Sequence, residues 1–223
     1  MNGEHALKSR GPLPPGGEPS WKALVAALEL QPHPEGGHYR EVFRSDFGVE
    51  AGGMPRSAGT SIYYLLAEGA YSAWHRIDAD EIWYFHAGGP LALHVLHAGG
   101  DLVTHFLGDP LRHAQAALQA VVPRGCWFAA ELATLQDTRL PASGAARPAH
   151  PPRHQASSGT LPLSSEKSPA TWPERLTDCD DFCLVGCAVT PGFEFSGFQL
   201  AAEADIANAI QQHGGWIRRL LKA

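Results

Sequence analysis

The stretch GAYSAWHRIDADEIWYFHAG, residues 69–88, decides the reading of this chain. Apolar and polar side chains alternate on either side of Asp78-Ala79-Asp80, the pattern of two strands joined by a short turn. Successive strand side chains point to opposite faces. His75 and Ile77 therefore share one face of the first strand, and Glu81, Trp83 and Phe85 share one face of the second. Folding back at the turn brings an imidazole and a carboxylate together among aromatic rings. Such a pair suits a metal site, a general base held by its carboxylate partner, or a buried structural ion pair.

Similar runs, each ended by Gly, Pro or Asp, extend in both directions from this hairpin. They are HYREVFRS (38–45), TSIYYLLA (60–67), AYSAWHRI (70–77), DEIWYFHA (80–87), LALHVLHA (91–98), DLVTHFLG (101–108), AALQAVVP (116–123), CWFAAELA (126–133), DFCLVGCAV (181–189) and FEFSGFQLA (193–201). Strands so closely spaced by turns predict an all-β antiparallel sandwich or barrel. Gly99-Gly100 supplies the turn of one hairpin. Short helices flank the strands. Trp21, Leu24, Val25 and Leu28 recur at helical spacing behind a capping Ser20, and the tail after Glu203 is helical with a break at Gly214-Gly215.

Proline marks the ends of the folded part. Four of the 18 prolines fall in residues 1–20 and seven in 137–180, a Ser- and Ala-rich stretch without period. Residues 1–20 read as a disordered tail and 137–180 as a disordered insertion, leaving one domain built from 21–136 and 181–223. The formal charge is −6, and no run of Lys or Arg provides a phosphate-binding patch, so nucleic acid is excluded as the main partner. No apolar stretch approaches the ~20 residues of a membrane span, and the N-terminal segment has no secretory h-region, so a cytoplasmic location is expected. Cys183 and Cys187, four apart on a strand, are too distant to bridge each other, and the Cys179, Cys183, Cys187 spacing is a poor zinc pattern.

The hairpin resembles the first motif of the cupins: Gly, five residues, His, one residue, His, three or four residues, Glu, six residues, Gly. Gly69, His75, Glu81 and Gly88 keep that spacing, with Ile77 in place of the second His. Pro123, Gly125 and Phe128 resemble the second motif, with Phe128 at the His position and Leu132 at the Asn position. PHPEGGHYREVFRS (32–45), SAWHRIDADEIWYFHAG (72–88), VPRGCWFAAE (122–131) and LVGCAVTPGFEFSGFQLA (184–201) sharpen the likeness to the small cupins of the Cupin_5 family. The resemblance implies a double-stranded β-helix (jelly-roll) barrel and a homodimer. It implies a fold more than an activity.

A typical cupin metal is held by three His and a Glu, whereas the matching positions here are His75, Ile77, Glu81 and Phe128. Two donors rarely hold a divalent ion against water, so no cofactor is expected; His75 and Glu81 are the candidates should a metal bind, with Glu131 as a possible third ligand. More distantly, PEGGHYREVF is similar to a strand of the metal-free nucleotide-sugar 3,5-epimerases. That likeness implies a proton-transfer site with His75 as base, Glu81 orienting it and Tyr64, or its neighbour Tyr63, as acid. Trp83, Phe85 and Phe128 would wall the pocket, and His38 and Arg40, with Arg44, would grip an anionic sugar- or nucleotide-like ligand if their face of strand 38–45 points inward. If it points outward, Tyr39 and Phe43 fill the core. The alternatives are a non-catalytic small-molecule-binding cupin and a metal-dependent enzyme with a reduced ligand set. His86, His94, His97, His105 and His113 fall at outer parity or in turns and read as surface or interface residues.

Overall fold

The structure, a computed structural model, describes residues 20–133 and 181–222. Of the expected tail at 1–20 only Ser20 is described, and it is ordered as the cap of the first helix; residues 1–19 and the expected insertion at 137–180 lie outside the described residues.

The strands are β1 (Gln31–Pro32), β2 (His38–Arg44), β3 (Gly48–Ala51), β4 (Met54–Ser57), β5 (Thr60–Ala67), β6 (Tyr71–Arg76), β7 (Asp80–Gly88), β8 (Leu91–Leu96), β9 (Leu102–Leu107), β10 (Gln119–Val122), β11 (Trp127–Leu132), β12 (Phe182–Thr190) and β13 (Gln199–Leu200). They form a six-stranded sheet in the order β1-β2-β5-β12-β7-β10, a five-stranded sheet in the order β13-β6-β11-β8-β9, and the small β3-β4 hairpin. Every strand pairing is antiparallel. This is the expected all-β jelly-roll barrel. Of the ten predicted strands only FEFSGFQLA departs: Phe195–Gly197 is a 3-10 turn, and β13 alone remains extended. The β3–β4 hairpin was not predicted, because GVEA and MPRS carry little apolar alternation.

Three apolar clusters hold the layers. The first fills the barrel between the two sheets, with Tyr64, Leu66, Trp83, Leu93, Phe128 and Val185 among its members. The second sits between the five-stranded sheet and the C-terminal segment, where Trp74 and Ala129 meet Ile206, Ile217 and Leu220. The third joins the six-stranded sheet to helix α1 (Trp21–Ala27) through Leu24, Leu65, Phe182 and Leu184. Ser20 caps α1, its side chain accepting from Ala23 N at 3.4 Å. The C-terminal segment runs from a 3-10 turn at Glu203–Ile206 into helix α2 (Ala207–His213), breaks at Gly214 with φ 95°, and ends in a 3-10 turn at Gly215–Leu220.

Two irregularities aim side chains at the barrel interior. Strand β2 carries a bulge between Glu41 and Phe43 in its pairing with β5. A bulge shifts the alternation by one residue. Tyr39 and Glu41 therefore face inward, Phe43 is left exposed, and Arg44 returns to the cavity wall. The second device is the turn between β1 and β2, where Gly36 and Gly37 have φ of 121° and 67°. A Cβ on Gly36 would lie 2.1 Å from the Tyr71 carbonyl oxygen, and one on Gly37 would lie 2.6 Å from that of Leu65. Only glycine fits either place, and the turn they form carries Glu35 into the barrel.

Candidate functional site

A cavity of about 150 Å³ opens at one end of the barrel, between the β1–β2 turn, strands β2, β5, β6, β7 and β12, and the segment Phe193–Phe198. His75, Glu81, Tyr64 and Trp83 line it, together with His33, Glu35, Ile77 and Cys187.

His75 projects from β6 and is 2% exposed. Its Nδ1 lies 2.7 Å from the Ala73 carbonyl, which can only accept, so Nδ1 carries a proton and donates it. In the neutral ring Nε2 is then the acceptor. It lies 3.0 Å from Glu35 Oε2. The carboxylate partner of His75 is thus Glu35, where the hairpin pattern pointed to Glu81. Ser72 Oγ donates to Glu35 Oε1 at 2.9 Å, and the Glu35 backbone N–H reaches His33 Nδ1 at 3.4 Å. Burial pushes the Glu35 carboxyl above its usual range, against His33, Ser72 and Tyr64, which favour its ionised form. Burial also brings His75 down to about 4, against the Ala73 carbonyl, which favours the charged ring. Both shifts act against an ion pair, and a 3.0 Å contact between an acceptor nitrogen and a carboxyl oxygen holds one proton between the two atoms.

Glu81, at the start of β7, is 7% exposed. Burial lifts its carboxyl to about 8 and nearby Glu35 adds to the shift, while Cys187 and Trp83 oppose it. Trp83 Nε1 is buried and closes no hydrogen bond of ordinary geometry, although its N–H dipole still favours the Glu81 carboxylate. Tyr64 settles the choice left open between adjacent tyrosines. Its hydroxyl donates to the Gly36 carbonyl at 2.9 Å inside the barrel, whereas Tyr63 packs edge-on to His86 outside. Burial, with Glu35 nearby, pushes Tyr64 well above its ordinary value, so it stays a proton-bearing group.

Several expected pocket residues lie elsewhere. His38 packs on Trp21, with ring centroids 5.8 Å apart, and Arg40 pairs with Glu29 at 3.2 Å. Both follow the outward parity of β2 ahead of the bulge, so neither forms the expected anion grip. Arg44 alone of that set reaches the wall. It is engaged with Glu41 and Glu194 at 2.8 Å each and with the Phe193 carbonyl at 3.1 Å. Phe85 packs against the barrel core and does not line the cavity. Phe128 lies behind His75, with ring centroids 3.9 Å apart, and supports it without lining the cavity. Glu131 belongs to the opposite side of the five-stranded sheet, bonded to His94 at 3.3 Å and to Arg219. Although burial opposes it, hydrogen bonds from His94 and Arg219 bring Glu131 down to about 2. His94, expected at the surface, is 6% exposed because Trp216 of the C-terminal segment packs on it.

The donor set does not fit a cupin metal shell. Ile77 and Phe128 offer no lone pair, and both His75 nitrogens already have protein partners. Among the described residues no group of three His, Cys, Asp or Glu is arranged to hold an ion. Nor is any helix among them long and apolar enough to cross a membrane.

Sequence reasoning missed Glu35, His33, Ser72 and Cys187. The available signal was the acid immediately before Gly36-Gly37, since paired glycines often mark a tight turn where backbones approach closely.

Among solved structures, a protein from Shewanella oneidensis is 30% identical, with 89% of this chain and 95% of that chain covered and a TM-score of 0.62. A hypothetical protein from Leishmania major is 27% identical, with 91% and 98% covered and a TM-score of 0.65. No curated protein matches the chain. The Cupin_5 family model, described as Cupin superfamily (DUF985), matches residues 22–201. A barrel of this topology, matched over most of its length, places the chain in the Cupin_5 family of the cupin superfamily.

Proposed function

We propose that the barrel binds a small polar molecule and moves a proton on it without a metal, as an isomerase or epimerase does. One observation carries this reading. A tautomer-fixed imidazole, His75, and a buried carboxyl, Glu35, share a proton at 3.0 Å on the wall of a cavity open to solvent at one end. Burial raises the Glu35 carboxyl and lowers the His75 imidazole, so neither is driven to its charged form and one proton is held between them.

A ligand whose C–H is acidified by an adjacent carbonyl would give that proton to a Glu35 carboxyl oxygen as the proton shared with His75 moves onto Nε2. Glu81, which keeps its proton below about pH 8, would stand as the donor that returns one. Tyr64, whose one O–H is given to the Gly36 carbonyl, would hold the turn that carries Glu35 to this couple. One proton leaves the ligand and one returns, so no redox partner enters. The expected anionic ligand loses its main support, because Arg44 is the single Lys or Arg on the wall among the described residues and it already serves two glutamates.

The test needs no prior substrate. Purified protein is incubated in D2O with small ketoses, aldoses, keto acids and amino acids, and carbon-bound deuterium is read by NMR. Exchange into at least one compound, abolished by His75→Asn in a variant of unchanged Tm, is the expected result. No exchange into any compound would leave a binding protein and end the catalytic reading.

A further inference from the structure

The chemistry of the cavity wall specifies the charge of its occupant. Four glutamates line it, Glu35, Glu41, Glu81 and Glu194, against the single guanidinium of Arg44. That guanidinium is held between Glu41 and Glu194 at the mouth. Deeper in, Glu35 and Glu81 make no ion pair with a Lys or Arg among the described residues. An anion would meet Glu41 and Glu194 at the mouth and oppose ionisation of the inner carboxyls, whereas a cation would take the place of the proton that Glu35 or Glu81 holds. Aromatic rings complete the wall: Tyr39 and Trp83 from the strands, and Phe193, Phe195 and Phe198 from the segment over the mouth. The face of an aromatic ring attracts a cation, and most strongly in a desolvated site.

A second observation, on Trp83, points to a ligand. Trp83 is 1% exposed, lines the cavity, and its indole N–H closes no hydrogen bond of ordinary geometry among the described residues. Buried donors are nearly always paired; the Glu81 carboxyl lies near this N–H without closing such a bond, which leaves the donor open to a ligand oxygen. Among the described residues no triad of donors is arranged for a metal ion, which leaves an organic cation.

We propose that the cavity takes a small ammonium-bearing molecule that also presents an oxygen acceptor, with the ammonium between Glu81, Glu35 and the aromatic wall and the oxygen on Trp83 Nε1. This rests on the cavity being the ligand site, but it does not require catalysis. Glu81 is faced by Trp83 on its own strand, by Cys187 from β12 and by Glu35 from the β1–β2 turn. Glu35 is faced by His33, Ser72, His75 and Tyr64, with Lys222 acting at longer range. A cation arriving there expels a proton from a carboxyl, so binding releases protons and tightens as pH rises towards 8.

Ethanolamine and choline are the probes. Their controls are 3,3-dimethylbutan-1-ol, which replaces the choline nitrogen with carbon, and lactate. Thermal shift and titration calorimetry on the full chain at pH 6.5 and 8.5 are expected to show ethanolamine or choline binding at least about tenfold tighter than the neutral and anionic controls. The heat at pH 7 should vary with buffer ionisation enthalpy in the direction of proton release. Glu81→Gln, near-isosteric and checked for folding by its Tm, should erase the preference. Equal or tighter binding of the alcohol or of lactate overturns the inference, as does the absence of any shift with either cation at millimolar concentration. The two readings fail separately. Deuterium exchange into neutral or anionic compounds alone would retain the catalytic site and remove the cation, while cation binding without exchange would do the reverse.

Discussion

Replacing Glu81 by Gln changes how stability depends on pH, and the change can be worked out from the site. In the unfolded chain this carboxyl titrates near the ordinary glutamate value of 4.5; in the barrel burial lifts it to about 8. Between those values the native state holds one proton more than the unfolded state. Stability therefore falls as pH rises, by about 1.4 kcal/mol per pH unit for a full proton difference. Across pH 5 to 8 the loss is on the order of 4 kcal/mol, an upper figure because buried carboxyls relax. His75 works in the opposite sense. Its pKa is depressed from 6.5 to about 4, so the unfolded state binds the extra proton and stability rises with pH over that window. The two slopes oppose each other up to about pH 6.5, above which the His75 slope is gone. Glu81→Gln deletes the Glu81 contribution, and the His75 slope, common to both proteins, cancels in their difference. Urea midpoints measured at pH 5, 6, 7 and 8 should show the variant gaining on the wild type at each step, by about 1.4 kcal/mol per unit up to pH 7 and less towards 8, where Glu81 itself ionises. Parallel pH profiles for the two proteins would refute the argument, because Glu81 would then titrate alike folded and unfolded.

Gly36→Ala should lower stability by at least ~2 kcal/mol in the same urea assay, since the new Cβ meets the Tyr71 carbonyl at 2.1 Å on a backbone with φ 121°. Phe128→Ala, which empties a fully buried site behind His75, should cost about 3–5 kcal/mol and loosen the ring, seen as a raised His75 pKa by NMR. Arg40→Ala should move stability by no more than about 0.5 kcal/mol and leave binding of any cavity ligand unaltered by calorimetry, because its partner Glu29 is exposed on the outer face. Light scattering should give twice the 23.9 kDa chain mass if the expected homodimer forms, and the chain mass itself would remove that proposal.

Within this family the fold was legible because strand alternation is local. Nine of the ten predicted strands need only the polar and apolar order of their own residues and the Gly, Pro or Asp that ends them. That His75, Glu81 and Trp83 share one side of their hairpin followed from the same rule, because a single turn ties their parities together. Other questions lay beyond it. Alternation orders the side chains of one strand relative to each other and does not say which face is inside, so Tyr63 and Tyr64 stayed equivalent until the barrel core closed on the Tyr64 face of β5 and the helix α1 cluster on the Tyr63 face. A one-residue bulge reversed the parity of β2 after Glu41, which sent Arg44 inward and left His38 and Arg40 outside. Glu131, three residues after Phe128 on β11, takes the opposite face by alternation, and Arg219, 88 residues distant, holds it there. Glu35 sits in a turn, where no period exists to aim a side chain, and only the close approach of Gly36 and Gly37 to β5 and β6 carries it to His75. The sequence by itself determined the strands and one wall of the cavity. The pairing of acid with base needed the tertiary structure, because it depends on long-range contacts between a turn and a strand.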